Sequence, residues 1–404
     1  GLYNVAMGSG ALSSNTSASA NVGIGRFALT ANTTGACNVA IGCCALKSNT
    51  TASNNVAVGL DALKLNTTGY SNISIGSYSS DANTEGFENI AIGVSSLGAN
   101  TTGDCNVGVG RSALRNNTTA GDNTAIGTNS LFSNTTGAVN TAVGFCSLYS
   151  NTTAANNTAV GRRALAANTE GTANTSLGAN ALCANTTADN NTAIGFESLK
   201  ANTSGCRNVA LGSSAGLAIT TGIENVAIGY ESLKNEDAHG RNTAVGTQAL
   251  FAQNAGADAY NVAVGYQAGA AISTGVQNTM VGAFSGDGIT TGQYNVGVGI
   301  HAVGSTTTAS NNTGLGYNAL FTNTTGHSNT AVGIYSLNNN TTGFCNVAIG
   351  KNALLANTTT CKNVAIGSDA LCSHTVNGVE NTAVGHGAQK SNTEGYYNTS
   401  VGKN

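Results

Sequence analysis

One pattern constrains this chain more than any other. The pentad Asn-(Val/Thr/Ile)-(Ala/Gly/Ser/Met)-(Val/Ile/Leu)-Gly recurs from end to end of the 404 residues in twenty-four copies, with Met7 in the first copy the only departure. Its asparagine returns every 17 residues, and only the steps from Asn242 to Asn261 (19 residues) and from Asn363 to Asn381 (18 residues) break the period. Seventeen residues are too few for a pair of helices but suit one coil of a parallel β-solenoid, whose coils bury their apolar residues only by stacking on neighbours. Counting the pentad asparagine as position 1, the unit reads N-V/T-A-I/V-G-x-x-A-L-x-x-N-T-T-G-x-x. Period-2 alternation makes the pentad a strand with positions 2 and 4 facing inward, closed by its glycine. A second short strand is expected through Ala/Ser-Leu at positions 8 and 9, with Asn-Thr-Thr-Gly as the return corner. The expectation is an all-β, single continuous solenoid over residues 1–404, a section of a longer fibre. At about 4.8 Å per coil the rod would be roughly 115 Å long.

Comparison between coils identifies the interior. The pentad glycine is invariant, for example at Gly8, Gly42, Gly93, Gly144, Gly229 and Gly350, as expected of a corner that needs positive φ or a close backbone approach. Position 9 is usually leucine and position 12 asparagine, but three coils change both together: Gly216 with Ile219, Gly269 with Ile272, Gly286 with Ile289. Volume lost at one position and regained at the other implies one shared core, so position 12 faces inward. Asn32, Asn49, Asn66, Asn100, Asn134 and Asn151 are formal glycosylation sequons at that position. A position that accepts isoleucine is a poor place for a glycan, and a stacked-amide ladder is expected instead.

The pentads Asn38–Gly42, Asn225–Gly229 and Asn363–Gly367, each followed by x-x-Ala/Ser, resemble the head repeats of YadA-like trimeric autotransporter adhesins, and the 17-residue unit is similar to segments of phage and environmental fibre proteins. The resemblance covers the whole chain. It implies a left-handed parallel β-roll, three chains around one axis, and a head that binds host matrix or other surfaces. The coil is longer than the adhesin head repeat, and no neck, heptad stalk or membrane-anchoring barrel is visible, so the resemblance supports the roll and the trimer more than a particular ligand.

Composition excludes several functions. With 15 Lys+Arg against 18 Asp+Glu there is no positive field for nucleic acid, and 40% hydrophobic residues at a net charge of −3 argue against a disordered chain. No stretch approaches about 20 apolar residues, so no membrane insertion is expected within this segment. The ten cysteines form no C-x-x-C pair and no histidine lies at zinc-ligand spacing, so no metal or cofactor site is expected. Cys345 and Cys361, 16 residues apart on successive coils, are the candidate disulfide. Adjacent Cys43 and Cys44 are expected on opposite sides.

Glu231, Glu236 and Asp237 come closest to a carboxylate pair but read as a solvated corner, and the five histidines lie in different coils, so no catalytic residues are assigned. Corner threonines, adjacent in sequence, point to opposite sides and make no two-wide water-ordering array. Position 3 is alanine, glycine or serine except at Met280. If it faces outward, Ala40, Ala142, Ala227 and Ala365 belong to a small apolar strip at the centre of a parallel homotrimer. The functional expectation is a non-enzymatic shaft or head of an extracellular, cell-surface or virion fibre or filament. Its partner would be itself, with adhesion to a surface receptor or glycan as a further role. The alternative is a carbohydrate- or ice-binding β-solenoid.

Overall fold

The computed structural model describes residues 1–375 and 378–403. It comprises two units, Gly1–Ser204 and Gly205–Asn404. Each is a parallel β-solenoid whose coils carry one three-residue strand, from Val5–Met7 to Thr192–Ile194 in the first and from Val209–Leu211 to Thr399–Val401 in the second. No helix occurs among the described residues. The strands are the middle three residues of the pentad, and the 17-residue repeat sets their register: Val39, Ala40 and Ile41 pair with Val56, Ala57 and Val58. Like side chains therefore stack on like, coil after coil. The two longer coils keep this register, with Thr243 opposite Val262 and Val364 opposite Thr382, so their extra residues are absorbed in the loops.

The pentad glycine closes the strand with φ between 125° and 143° throughout the row, a region that L side chains rarely adopt. It also stacks backbone on backbone. A Cβ at Gly93, Gly144 or Gly229 would lie 2.5 Å from the carbonyl oxygen of Gly110, Gly161 or Gly246 in the next coil, and Gly8, Gly42 and Gly350 meet Gly25, Gly59 and Gly367 in the same way.

The second strand expected at positions 8 and 9 does not form, and a series of turns takes its place. Positions 7, 9 and 17 are left-handed, as at Cys44 (φ 58°), Leu46 (φ 50°) and Asn54 (φ 63°). These turns aim nearby amides at opposite neighbours: the Cys44 N–H donates back to Arg26 O at 2.9 Å, and the Leu46 N–H forward to Ala62 O at 3.0 Å. A left-handed residue costs about 1–2 kcal/mol, which the pairing of otherwise orphaned buried amides offsets.

The facing of the pentad is the reverse of the expectation. Position 3 points into the chain's own interior: Ala40, Ala142, Ala227 and Ala365 are at most 1% exposed, whereas their strand neighbours at positions 2 and 4 are half-buried or exposed. The interior is thin. Each regular coil fills it with alanine or serine at 8, leucine at 9 and asparagines at 1 and 12, leaving room for only a small side chain from the strand. At Gly108, which takes position 3, even a Cβ would lie 2.6 Å from Ser96 Oγ. Met280 is the instructive exception, since it is fully buried and faces Gly286, where an added Cβ would collide with its Sδ. Volume is thus conserved across positions 3, 9 and 12. Ile272 occupies the space left at Gly269, where a Cβ would come 2.8 Å from its Cδ1. Leu165 is fully buried in this core. Leu165→Asn should therefore lose about 3 kcal/mol or more in denaturant unfolding, because it exchanges packed methyls for an unpaired amide; an unchanged midpoint would contradict the inward assignment.

Candidate functional site

Turning position 3 inward turns positions 2 and 4 outward, and each unit thereby presents a flat face two side chains wide. Position 4 is aliphatic in every strand after the first. Its residues are exposed between 36% and 46% at Ile41, Ile126 and Leu177 in the first unit and at Leu211, Leu315 and Ile349 in the second. Position 2 alternates among valine, isoleucine and threonine, with Thr124, Thr141, Thr158, Thr175 and Thr192 stacked in succession. No charged residue interrupts either row. This threonine row lies on the strand. At the return corner the first threonine instead spends its hydroxyl on the next coil, as when Thr33 Oγ1 donates to Thr50 O at 3.1 Å.

Behind this face run two asparagine ladders. At position 12, Asn49 Nδ2 donates to Asn32 Oδ1 (2.8 Å) and to Ala52 O (3.0 Å). Asn66, Asn100, Asn134 and Asn151 repeat the pattern, each donating to the asparagine one coil before. At position 1, the Asn38 N–H donates to Asn21 Oδ1 (2.9 Å), while its amide reaches Ala52 O (2.9 Å). The carbonyl at position 15 is thus gripped by both asparagines of its own coil, which closes the coil. With side chains fully buried and Nδ2 engaged, the sequons at Asn32, Asn49, Asn66, Asn134 and Asn151 cannot carry a glycan in this fold, and Asn100, 1% exposed, is equally enclosed.

Both cysteine expectations are corrected. Cys345 and Cys361 are free thiols. The 17-residue period stacks Cys345 on Lys362, whose N–H bonds Phe344 O at 3.0 Å, so Cys361 is one position out of register. Cys43 and Cys44 lie in a turn, where strand alternation does not hold, and their sulfurs are 3.6 Å apart on the same side. Burial and the neighbouring Cys43 push the Cys44 thiol up.

The acidic corner also differs from its reading as solvated. Glu231 is paired with Lys234 (2.6 Å) and held low by that hydrogen bond and by one from Gln248. Glu236, however, stands at position 12 and is fully buried, in the row that carries asparagine in most coils. Its row neighbours are Ile219 and Gln253, both fully buried as well. The carboxylate receives long bonds from the His239 N–H (3.3 Å) and Asn242 Nδ2 (3.4 Å). Burial, with Asp237 and Asp258 adding negative charge, pushes its acid up to about 7. Arg241 is engaged on the outside, by Glu224 at 3.0 Å and by Asp258. Glu224 also takes Arg207 at 2.9 Å, and the hydrogen bonds from Arg241 and Arg207 hold its carboxyl low. One carboxylate oxygen from Glu236, one from Asp237 and a ring nitrogen of His239 lie within 4.8 Å of one another. The sequence reading took Glu236 and Asp237 for a solvated corner and assigned no metal there, because it found no cysteine pair and no histidine at zinc-ligand spacing. The available signal was an ionisable residue at a position already assigned inward, with a histidine three residues on.

No protein-family model matches the chain, and no curated protein matches it. Among the described residues no helix is long and apolar enough to cross a membrane.

Proposed function

We propose that this chain is a non-enzymatic structural protein that assembles with copies of itself into a surface fibre, and that the outward face of positions 2 and 4 is the assembly surface. The observation that supports this reading is the uninterrupted aliphatic row at position 4, in register from strand to strand within each unit. Monomeric proteins rarely leave apolar patches larger than a few hundred Å2 in water. A partner that covers such a row at every coil must share its spacing, and a second copy of the chain does so by construction. Three parallel chains around an axis let the position-2 row of each meet the position-4 row of the next, a closed heterologous ring. This replaces the alanine strip of the sequence expectation with the rows that flank it; the trimer, the extracellular or virion location and an adhesive role for the outer loops follow the resemblance to adhesin heads. Sedimentation equilibrium of the soluble protein should give three chains per particle, and a monomer at micromolar concentration would end the proposal.

The five stacked threonines at Thr124–Thr192 favour one second reading, a water-ordering, ice-binding face. Thermal hysteresis in a protein that sediments as a monomer would select it.

A further inference from the structure

The corner Glu236-Asp237-Ala238-His239-Gly240 departs from Asn-Thr-Thr-Gly, and its departure leaves polar groups unanswered. In a regular coil the position-12 amide is neutral and donates both to the amide of the preceding coil and to its own position-15 carbonyl. Here the row holds a carboxylate. Ile219 on one side offers it nothing, and on the other side Gln253, fully buried, has its Nε2 without a partner among the described residues. Among the described residues no cation pairs with Glu236, and Arg241 is committed to Glu224 and Asp258. His239 Nδ1 is likewise buried and without a partner, and His239 is one of the three residues whose donor atoms converge within 4.8 Å. Two carboxylates, that of Glu236 fully buried and that of Asp237 half-buried, and a half-buried imidazole, short of positive charge, are what a bound cation would complete.

We propose that this corner binds one divalent transition-metal ion of the zinc class, ligated by one oxygen of Glu236, one oxygen of Asp237 and the Nδ1 of His239, with water completing the shell. The imidazole selects zinc, cobalt or nickel over magnesium or calcium, which prefer all-oxygen shells. Ligand bonds of about 2.0–2.2 Å require the three donors to draw together, and the group sits in a corner free of the asparagine ladder that fixes the regular coils. The ion would neutralise a buried carboxylate and pin the coil where that ladder is interrupted, a structural role independent of how the chain assembles.

The test uses Co2+ as probe on the full chain after alkylation of its ten cysteines, so that thiols do not compete. Wild-type protein should take up one equivalent of Co2+, show a visible d–d band of nitrogen/oxygen character, and melt at a higher temperature with the ion than with Mg2+. Glu236→Gln, which places at 236 the residue type found at 253, and His239→Ala, which changes a partly exposed side chain, should each weaken binding at least tenfold. Both should retain the circular dichroism of the parent. Absence of stoichiometric Co2+ in dialysed wild-type protein would overturn the proposal whatever the variants do, and so would a band that survives in folded Glu236→Gln.

Discussion

Gly144→Val is expected to unfold its part of the solenoid, with a loss of more than about 4 kcal/mol where the whole-chain transition can be measured. Two independent penalties combine. The residue has φ 133°, where a β-branched residue is strained whatever space it is given. Its Cβ would also lie 2.5 Å from Gly161 O, and that contact is backbone, so no rotamer change relieves it. The strand pairing of Thr141–Val143 with Thr158–Val160 is anchored beside this contact, and the Gly144 N–H itself donates to Ile126 O at 2.7 Å. Because coils interact only with neighbours, hydrogen exchange should accelerate first in the coils flanking residue 144 and remain slow near Leu46. Gly144→Ala should show the same pattern with a smaller loss. A valine variant with parental protection would mean that the glycine row is not a steric requirement.

The solenoid was legible in the sequence because a stack of in-register coils leaves a periodic record, and the glycine row was legible because a missing side chain is the same in every copy. The direction of the pentad was not, for a physical reason. Alternation says that positions 2 and 4 share a side, but it does not say which side, and the assumption that branched residues are buried decided it wrongly. The volume argument that placed position 12 inward could have settled the point if carried to Met280, whose coil has glycine at position 9. The turns at positions 7 to 9 were illegible in another way. Leucine has no local preference for φ near 50°, and it is held there by amides of the coils on either side, which no window of sequence contains. The burial of Glu236 was missed through reading its residue type before its position in the coil.

The face opened by that correction carries the second large effect. Replacing Ile92 and Ile126, at position 4 of two coils in the first unit, by lysine should abolish self-association while leaving each chain folded. Both side chains are close to 40% exposed in the single chain, so a lysine there extends into water, and the alanines between the rows, Ala91 and Ala125, keep their burial. In a trimer closed around these rows the same substitution would place six ammonium groups against apolar neighbours with no carboxylate in either row to pair them. Burying an unpaired charge costs several kcal/mol even after relaxation, so the sum exceeds what the remaining coils can return. Ile92→Val with Ile126→Val is the control, since it shortens the side chains without adding charge and should sediment as the parent does. The expected outcome is a monomer with unchanged circular dichroism for the lysine pair. A lysine pair that still sediments with three chains per particle would place the assembly surface elsewhere. A lysine pair that loses its fold as a monomer would mean that the rows are buried within the chain.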